Sequence, residues 1–229
     1  MLYELRKYDV MPGKGPALLD RFGTFTVPKW GEYGIRAVGF WTPQIGGQNN
    51  LIYILAWDSF EQRIERFGKW QASPERAEKW EETERNGPLV RRLQNVLMEP
   101  TAFSPMEKGV TYGDAANRAP YLFELREYEA MPGCKPALVK RFGDFTNGCF
   151  VEHGFRPIGY WSPVVGPSNQ QFIYMLAWES YEERNLKFEE FQRDPERRRV
   201  FEESEKPAGP LVEKTTNAML RPTAFSPLK

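Results

Sequence analysis

Histidine is almost missing from this sequence, cysteine is scarce, and no apolar run approaches the ~18 residues that a membrane-spanning helix needs. A single histidine, His153, rules against any multi-histidine metal centre, so a zinc enzyme is a poor fit. The two cysteines, Cys134 and Cys149, both fall in the second half without a close metal-ligand spacing. They read as reduced, small core residues rather than a disulfide or a metal clip, and no metal or cofactor is expected. An excess of charge is lacking too: 31 Lys and Arg balance 31 Asp and Glu among 229 residues. No global field would draw in nucleic acid or an anionic membrane. The one basic run, Arg197-Arg198-Arg199, is set among Glu196, Glu202, Glu203 and Glu205 and reads as a solvated helix face. Phosphate cradles, nucleophile elbows and metalloprotease motifs are missing; Gly46-Gly47 lacks the Lys and the helix start that a P-loop needs. Ser104-Pro105 and Ser226-Pro227 read as loop turns. Since the first strand-like pattern starts at Leu2, no signal peptide is expected and the cytoplasm is the expected compartment.

Aromatic residues are plentiful, at 14% of the chain with seven Trp and sixteen Phe. They supply a large core, and they also supply walls for an apolar pocket. The chain is also written twice. Tyr3-Glu4-Leu5-Arg6-Lys7-Tyr8 returns as Phe123-Glu124-Leu125-Arg126-Glu127-Tyr128, and Arg21-Phe22-Gly23 returns as Arg141-Phe142-Gly143. Gly39-Phe40-Trp41 matches Gly159-Tyr160-Trp161, and both copies close on Pro-Thr-Ala-Phe-Ser-Pro, at Pro100 and at Pro222. Single-residue insertions fall near Gln171 and Ala208. The expected organisation is a first domain over 1–106, a linker over 107–120 without apolar period, and a second domain over 121–229.

Within one copy, Leu2 to Tyr8 alternates as a strand, and Pro12-Gly13 leads into a helix from about Gly15 that Gly34 stops. Ile35 to Trp41 is a second strand, Pro43 to Asn50 a turn, and Leu51 to Trp57 a third strand. Ser59 caps a second helix with Gln62 at N3, Pro74 restarts helix, Gly87-Pro88 stops it, and a last strand covers Val90 to Met98. The order βαββαβ is that of the split ferredoxin-like fold, an α+β class. The third strand is apolar on both faces: Tyr53, Leu55 and Trp57 on one, Ile52, Ile54 and Ala56 on the other. Such a strand is buried on both sides, while the copy's own helices can cover one. The other copy should cover the second side, closing an eight-stranded barrel with helices outside and placing a ligand cavity in the pair.

These motifs together resemble the NIPSNAP family: Tyr-Glu-Leu-Arg-x-Tyr, Gly-Phe/Tyr-Trp, Leu-Ala-Trp in the third strand, and the Pro-Thr-Ala-Phe-Ser-Pro ending. The resemblance covers essentially both copies. It implies the dimeric α+β barrel superfamily, with the usual dimer fused into one chain. It implies no one activity, because that superfamily holds cofactor-free monooxygenases, haem-degrading enzymes, isomerases and plain ligand binders.

The best polar constellation is on the first strand, where Glu4, Arg6 and Tyr8 share a face at about 7 Å spacing, repeated as Glu124, Arg126 and Tyr128. One reading is a pocket in which Arg holds a carboxylate or enolate oxygen while Tyr donates a hydrogen bond. The other, favoured on the residues alone, is a structural Glu–Arg network that fixes strand register. Trp41, Tyr53 and Trp57, with Trp161, Tyr174 and Trp178, form aromatic rows that suit either core or a flat apolar ligand. Arg36 and Arg156 start the second strands and read as strand-end or surface cations. His153 precedes Gly154 at a helix C-terminus, which favours a bland surface role over a general base or a haem ligand. Three functions stay open: binding of a small apolar or aromatic molecule, cofactor-independent catalysis using Glu124, Arg126, Tyr128 and His153, and haem binding at His153. Further assembly of the fused pair stays open as well.

Overall fold

The computed structural model describes residues 1–46, 50–106, 121–207 and 209–229. The expected linker over 107–120, Gly47 of the expected turn and the insertion at Ala208 lie outside the described residues. The first repeat runs β1 (Leu2–Val10), α1 (Gly15–Arg21), α2 (Val27–Glu32), β2 (Arg36–Ile45), β3 (Asn50–Trp57), α3 (Phe60–Gln71), α4 (Pro74–Glu84) and β4 (Val90–Pro100). The second runs β5 (Leu122–Ala130), α5 (Lys135–Arg141), α6 (Asn147–Glu152), β6 (Arg156–Val165), β7 (Gln171–Trp178), α7 (Tyr181–Arg193), α8 (Pro195–Glu205) and β8 (Val212–Pro222). The strands close into a barrel in the order β1-β3-β2-β8-β5-β7-β6-β4, with β4 pairing back onto β1. The expected α+β barrel within one chain is therefore present.

Both faces of β3 are buried, as its composition requires. Ile52, Ile54 and Ala56 pack inside the barrel with Tyr3, Leu5, Trp41, Phe123 and Trp161. Tyr53, Leu55 and Trp57 pack under the repeat's own helices with Leu18, Phe22, Trp30 and Phe67. The Gly-x-Trp motif follows from this packing. Residues two apart on a strand share a face, and the Trp41 indole lies back over Gly39. A Cβ at Gly39 would come within 2.5 Å of Trp41 Cζ2, and one at Gly159 within 2.3 Å of Trp161 Cζ2. Only glycine leaves room for the ring.

Three details differ from the sequence reading. The strand expected to turn at Pro43 continues to Ile45, because Thr42 to Ile45 pair with β8 of the other repeat and form one of the two seams. Proline is tolerated there at a break in register between Pro43 and Ile45. The first long helix is interrupted by a π-helical turn at Phe22–Thr26, matched at Phe142–Thr146. Ser59 caps α3, accepting from Gln62 N at 3.2 Å, but the Gln62 carboxamide reaches back to Asp58 N at 2.9 Å rather than to the cap residue. Gly34 ends the α1–α2 segment at φ +65°, as its type predicts.

The closing Pro-Thr-Ala-Phe-Ser-Pro words are reciprocal clasps. Thr101 N donates to Tyr160 O and Tyr160 N to Ser104 Oγ, at 3.0 Å each, carrying the end of the first repeat onto the second. Thr223 N to Phe40 O and Phe40 N to Ser226 Oγ, at 2.9 Å each, do the converse. Phe103 lies against Gly143, and Phe225 against Gly23, so close that a Cβ would sit 2.9 and 2.8 Å from the rings. The glycine of each Arg-Phe-Gly word is the seat for the other repeat's phenylalanine. Among the described residues, no helix is long and apolar enough to cross a membrane.

Candidate functional site

On β1 the odd positions Tyr3 and Leu5 point into the barrel, which turns Glu4, Arg6 and Tyr8 towards the helices. Glu4 is fully buried, and five donors converge on its two oxygens. Arg6 Nη1 (2.7 Å), Arg63 Nη2 (3.0 Å) and Asn95 Nδ2 (3.2 Å) reach Oε1, while Arg63 Nε (3.1 Å) and Trp57 Nε1 (3.2 Å) reach Oε2. Glu124 repeats the arrangement with Arg126, Arg184, Asn217 and Trp178. Burial alone would raise these carboxyls, but the arginines outweigh it and hold both below the ordinary value. With five donors on each carboxylate, Glu4 and Glu124 hold Arg6 and Arg126 in place.

Beyond Arg6 a cavity of about 290 Å³ opens between the sheet and the helices, and its counterpart beyond Arg126 measures about 170 Å³. Three arginines line each one: Arg6, Arg21 and Arg76 in the first repeat, Arg126, Arg141 and Arg197 in the second. The other walls are largely aromatic, with Trp30, Trp70 and Trp80 in the first and Phe150, Phe191 and Phe201 at the matching positions in the second. Arg21 stacks on Trp80 and Arg141 on Phe201, each with its guanidinium carbon 3.9 Å from the ring centre. Arg21 is ion-paired to Glu84 at 2.8 Å and Arg141 to Glu205 at 3.0 Å. Arg76 and Arg197 form no ion pair among the described residues. Burial, with Arg21 and Arg141 respectively as like-charged neighbours, makes both less basic than an ordinary arginine.

Several buried donors around these cavities have no partner among the described residues. They include Nε of Arg6 and Arg21, Thr26 Oγ1 and Trp30 Nε1 in the first repeat, and Nε of Arg141 and Arg197 with Thr146 Oγ1 in the second. A buried donor left without an acceptor costs about 1–3 kcal/mol. Both threonines sit on the π-helical turns, whose widened backbone carries them to the cavity wall.

The remaining expected residues are distributed unevenly. Tyr8 and Tyr128 line the cavities. Tyr53 and Tyr174 stand behind them, each donating its hydroxyl to the partner tyrosine at 2.9 Å. Arg126 Nε donates to Tyr174 Oη at 2.8 Å. Burial pushes the Tyr53 and Tyr174 phenols well above their ordinary value, which makes them donors rather than bases. Trp41 and Trp161 point into the barrel instead, and Trp57 and Trp178 serve the buried glutamates. The rows read as one aromatic set thus split across the two faces of the sheet. His153 does not line either described cavity: its Nε2 lies 2.9 Å from Asp194 Oδ2, behind Phe191. Arg36 and Arg156 pair with Asp58 and with Glu179 and Glu183 at the surface.

The pair was expected to build the cavity jointly; among the described residues, each arginine-lined cavity is walled by a single repeat, and apolar side chains of both repeats pack against one another inside the barrel. Sequence reasoning also missed Arg21, Arg76, Arg141 and Arg197. Arg197 was assigned with Arg198 and Arg199 to a solvated face; Arg199 does pair with Glu196 and Glu203 at the surface, but Arg197 turns inward over Phe201. The repeat held the signal, since Pro74-Glu75-Arg76 recurs as Pro195-Glu196-Arg197.

Comparison with known proteins agrees with this architecture. A NipSnap homolog protein of Dictyostelium discoideum is 22% identical over 185 residues, which span 80% of this chain and 72% of its own. A NIPSNAP domain protein of Burkholderia xenovorans, of uncharacterized function, is 26% identical, covering 46% of this chain and 99% of its own, with a TM-score of 0.40. The fold of an anthrone oxidase-like protein superposes over 97% of this chain and 91% of its own with a TM-score of 0.60, at 11% identity. The family model described as NIPSNAP matches residues 3–105 and again 123–227, one match to each repeat. The chain belongs to the NIPSNAP family and carries two of its domains in tandem.

Proposed function

We propose that each repeat binds a small anionic molecule with an aromatic or apolar body in the cavity between its sheet and its helices. The observation that carries this reading is the convergence of three arginines on an aromatic-walled space in both repeats. One arginine of each set, Arg76 or Arg197, has no ion-pair partner of its own among the described residues, the nearby Glu84 and Glu205 being paired to Arg21 and Arg141. A carboxylate or enolate would supply the missing charge and the missing acceptors, and the rings would cover its flat body. Glu4 and Glu124 belong to the scaffold in this reading, and Tyr8 and Tyr128 offer hydroxyls to the bound oxygen.

Catalysis on an enolisable or phenolic substrate is a second reading, favoured by the Arg126–Tyr174–Tyr128 chain that ends at the cavity. That chain can stabilise an oxyanion, and the proton acceptor would have to come from the substrate or from solvent.

Thermal unfolding with benzoate, phenylacetate and naphthoate, each against its neutral amide, tests the binding reading. The carboxylates should raise the melting temperature and the amides should not, with the shift diminished in Arg76→Gln and again in Arg197→Gln. Equal shifts from acids and amides, or shifts indifferent to both substitutions, would reject an anion site.

A further inference from the structure

The second repeat holds a side-chain cluster that the cavity does not use. Cys149 and His153 are one helical turn apart at the end of α6, so both project from the same face. Asp194 meets them as the residue that caps α8. One ligand-type atom from each of the three lies within 4.8 Å of the other two. Cys149 Sγ is 4.0 Å and His153 Nε2 2.9 Å from Asp194 Oδ2. Zn–S of about 2.3 Å and Zn–N or Zn–O of about 2.0–2.2 Å place tetrahedral ligands roughly 3.4–3.6 Å apart. The two separations to Asp194 Oδ2 bracket that range, and with all three atoms within 4.8 Å of one another, rotamer adjustments of about an ångström would bring them to it.

The surroundings suit a cation. Asp194 Oδ1 is held by Arg197 N at 2.9 Å, which fixes the carboxylate and leaves Oδ2 directed at the cluster. Cys149 is buried, whereas His153 and Asp194 side chains are 22% and 21% exposed, so an ion could enter from solvent and keep water as a fourth ligand. A thiolate and a carboxylate together balance a divalent charge.

The first repeat provides a comparison inside the same molecule. The positions of Cys149, His153 and Asp194 are filled there by Lys29, Tyr33 and Ser73. Lys29 pairs with Glu32, the Tyr33 hydroxyl donates to Glu75 and the Ser73 hydroxyl to Trp70 O, so each has an ordinary structural partner. Two positions one helical turn apart and a third 41 residues after His153 all carry metal-ligand types in the second repeat, and they converge at one point. Cys134, the other cysteine, is not in the cluster.

From this geometry we propose that Cys149, His153 and Asp194 bind one thiophilic divalent transition-metal ion of the zinc class, separate from the arginine-lined cavities. The ion would join the end of α6 to the start of α8, close to the wall that Phe150 and Phe191 give the second cavity.

Cobalt(II) titration of the chelator-treated full chain, followed by absorption, is the test. The expected result is one equivalent of Co²⁺ with a thiolate-to-cobalt charge-transfer band and intense tetrahedral d–d bands, both displaced by Zn²⁺. Cys149→Ser should lose the charge-transfer band, and His153→Gln should lose the tetrahedral d–d intensity. Asp194→Asn keeps an acceptor for the helix cap, and it should weaken Co²⁺ by more than the roughly 10- to 100-fold that loss of an outer contact brings. Circular dichroism and the melting temperature of the metal-free variants show that each is folded. No charge-transfer band in the wild-type chain overturns the proposal. A band that survives Cys149→Ser but disappears in Cys134→Ser overturns it too, by placing the thiolate elsewhere.

Discussion

Lys7 and Glu127 occupy the same position in the two repeats, and they meet across the barrel as an ion pair. Both lie on the barrel-facing side of their strands, β1 and β5, in line with Leu5 and Leu125. Two identical repeats would bring like charges together at this point. The difference between the copies turns a repulsive contact into an attractive one, and it favours pairing of unlike halves over pairing of like ones.

Reversing one charge should therefore destabilise the barrel, and reversing both should restore most of the loss. The pair is only partly exposed, at 25% and 15%, so Glu127→Lys is expected to cost about 1–3 kcal/mol in urea denaturation. The Lys7→Glu, Glu127→Lys double variant should recover more than half of that. Additive losses in the double-mutant cycle would show that the pair makes no energetic link between repeats.

Glycine in the Gly-x-Trp words gives a second prediction. Gly39→Ala and Gly159→Ala would each drive a methyl into an indole that is fully buried inside the barrel. Each should lower stability by about 1–3 kcal/mol through overpacking. Pairing Gly159→Ala with Trp161→Phe should lose less than the sum, because the smaller ring vacates the clash. A neutral Gly159→Ala would refute the packing account of the motif.

Much of this architecture is legible in the sequence. The repeat is explicit, and the doubly apolar β3 requires a second cover, so the barrel follows from Ile52, Ile54 and Ala56 alone. Period-two alternation also groups Glu4, Arg6 and Tyr8 correctly. It cannot say which face of the sheet meets the helices, because here both faces are apolar, and so the cavity was expected between the repeats. The helical arginines Arg21, Arg76, Arg141 and Arg197 were hidden for a different reason. On a charged amphipathic helix a buried arginine has the same spacing as a solvated one, and only its stacking partner, Trp80 or Phe201, distinguishes it. Nor does any residue type announce the π-helical turns that bring Thr26 and Thr146 to the cavity walls.

Acid should unfold the protein through its anchored glutamates. Glu4, Glu124 and Glu183 all titrate below the ordinary value of 4.5 in the folded state. For Glu183, burial opposes the shift, but Arg156 and Lys187 outweigh it and bring the carboxyl down to about 2. Because their folded values are depressed, these groups add stability above the unfolded value, and it is lost as pH falls through the folded one. Stability should accordingly be level above about pH 5 and decline between 4.5 and 2. Glu4→Gln should be less stable at neutral pH by about 3–5 kcal/mol, since Arg6 and Arg63 lose their shared anion. Its decline in acid should also be shallower. An acid slope unchanged by Glu4→Gln would mean that other carboxylates drive the transition.

The two cavities carry different reporters, which allows their occupancy to be followed separately. Trp30, Trp70 and Trp80 line the first, while Phe150, Phe191 and Phe201 stand at the same places in the second. An aromatic carboxylate entering the first cavity should quench tryptophan fluorescence, whereas one entering the second should change it little, Trp178 being turned towards Glu124. Arg76→Gln should abolish the quenching and leave a residual calorimetric binding signal from the second repeat. Arg197→Gln should do the reverse, preserving the quenching while removing about half of the binding stoichiometry. The smaller second cavity, about 170 Å³ against 290 Å³, should in addition accept benzoate but exclude naphthoate. Calorimetric binding without quenching that survives Arg76→Gln but is lost in Arg197→Gln would place the ligand in the second repeat. It would also make the tryptophan-walled space of the first a structural relic of the duplication.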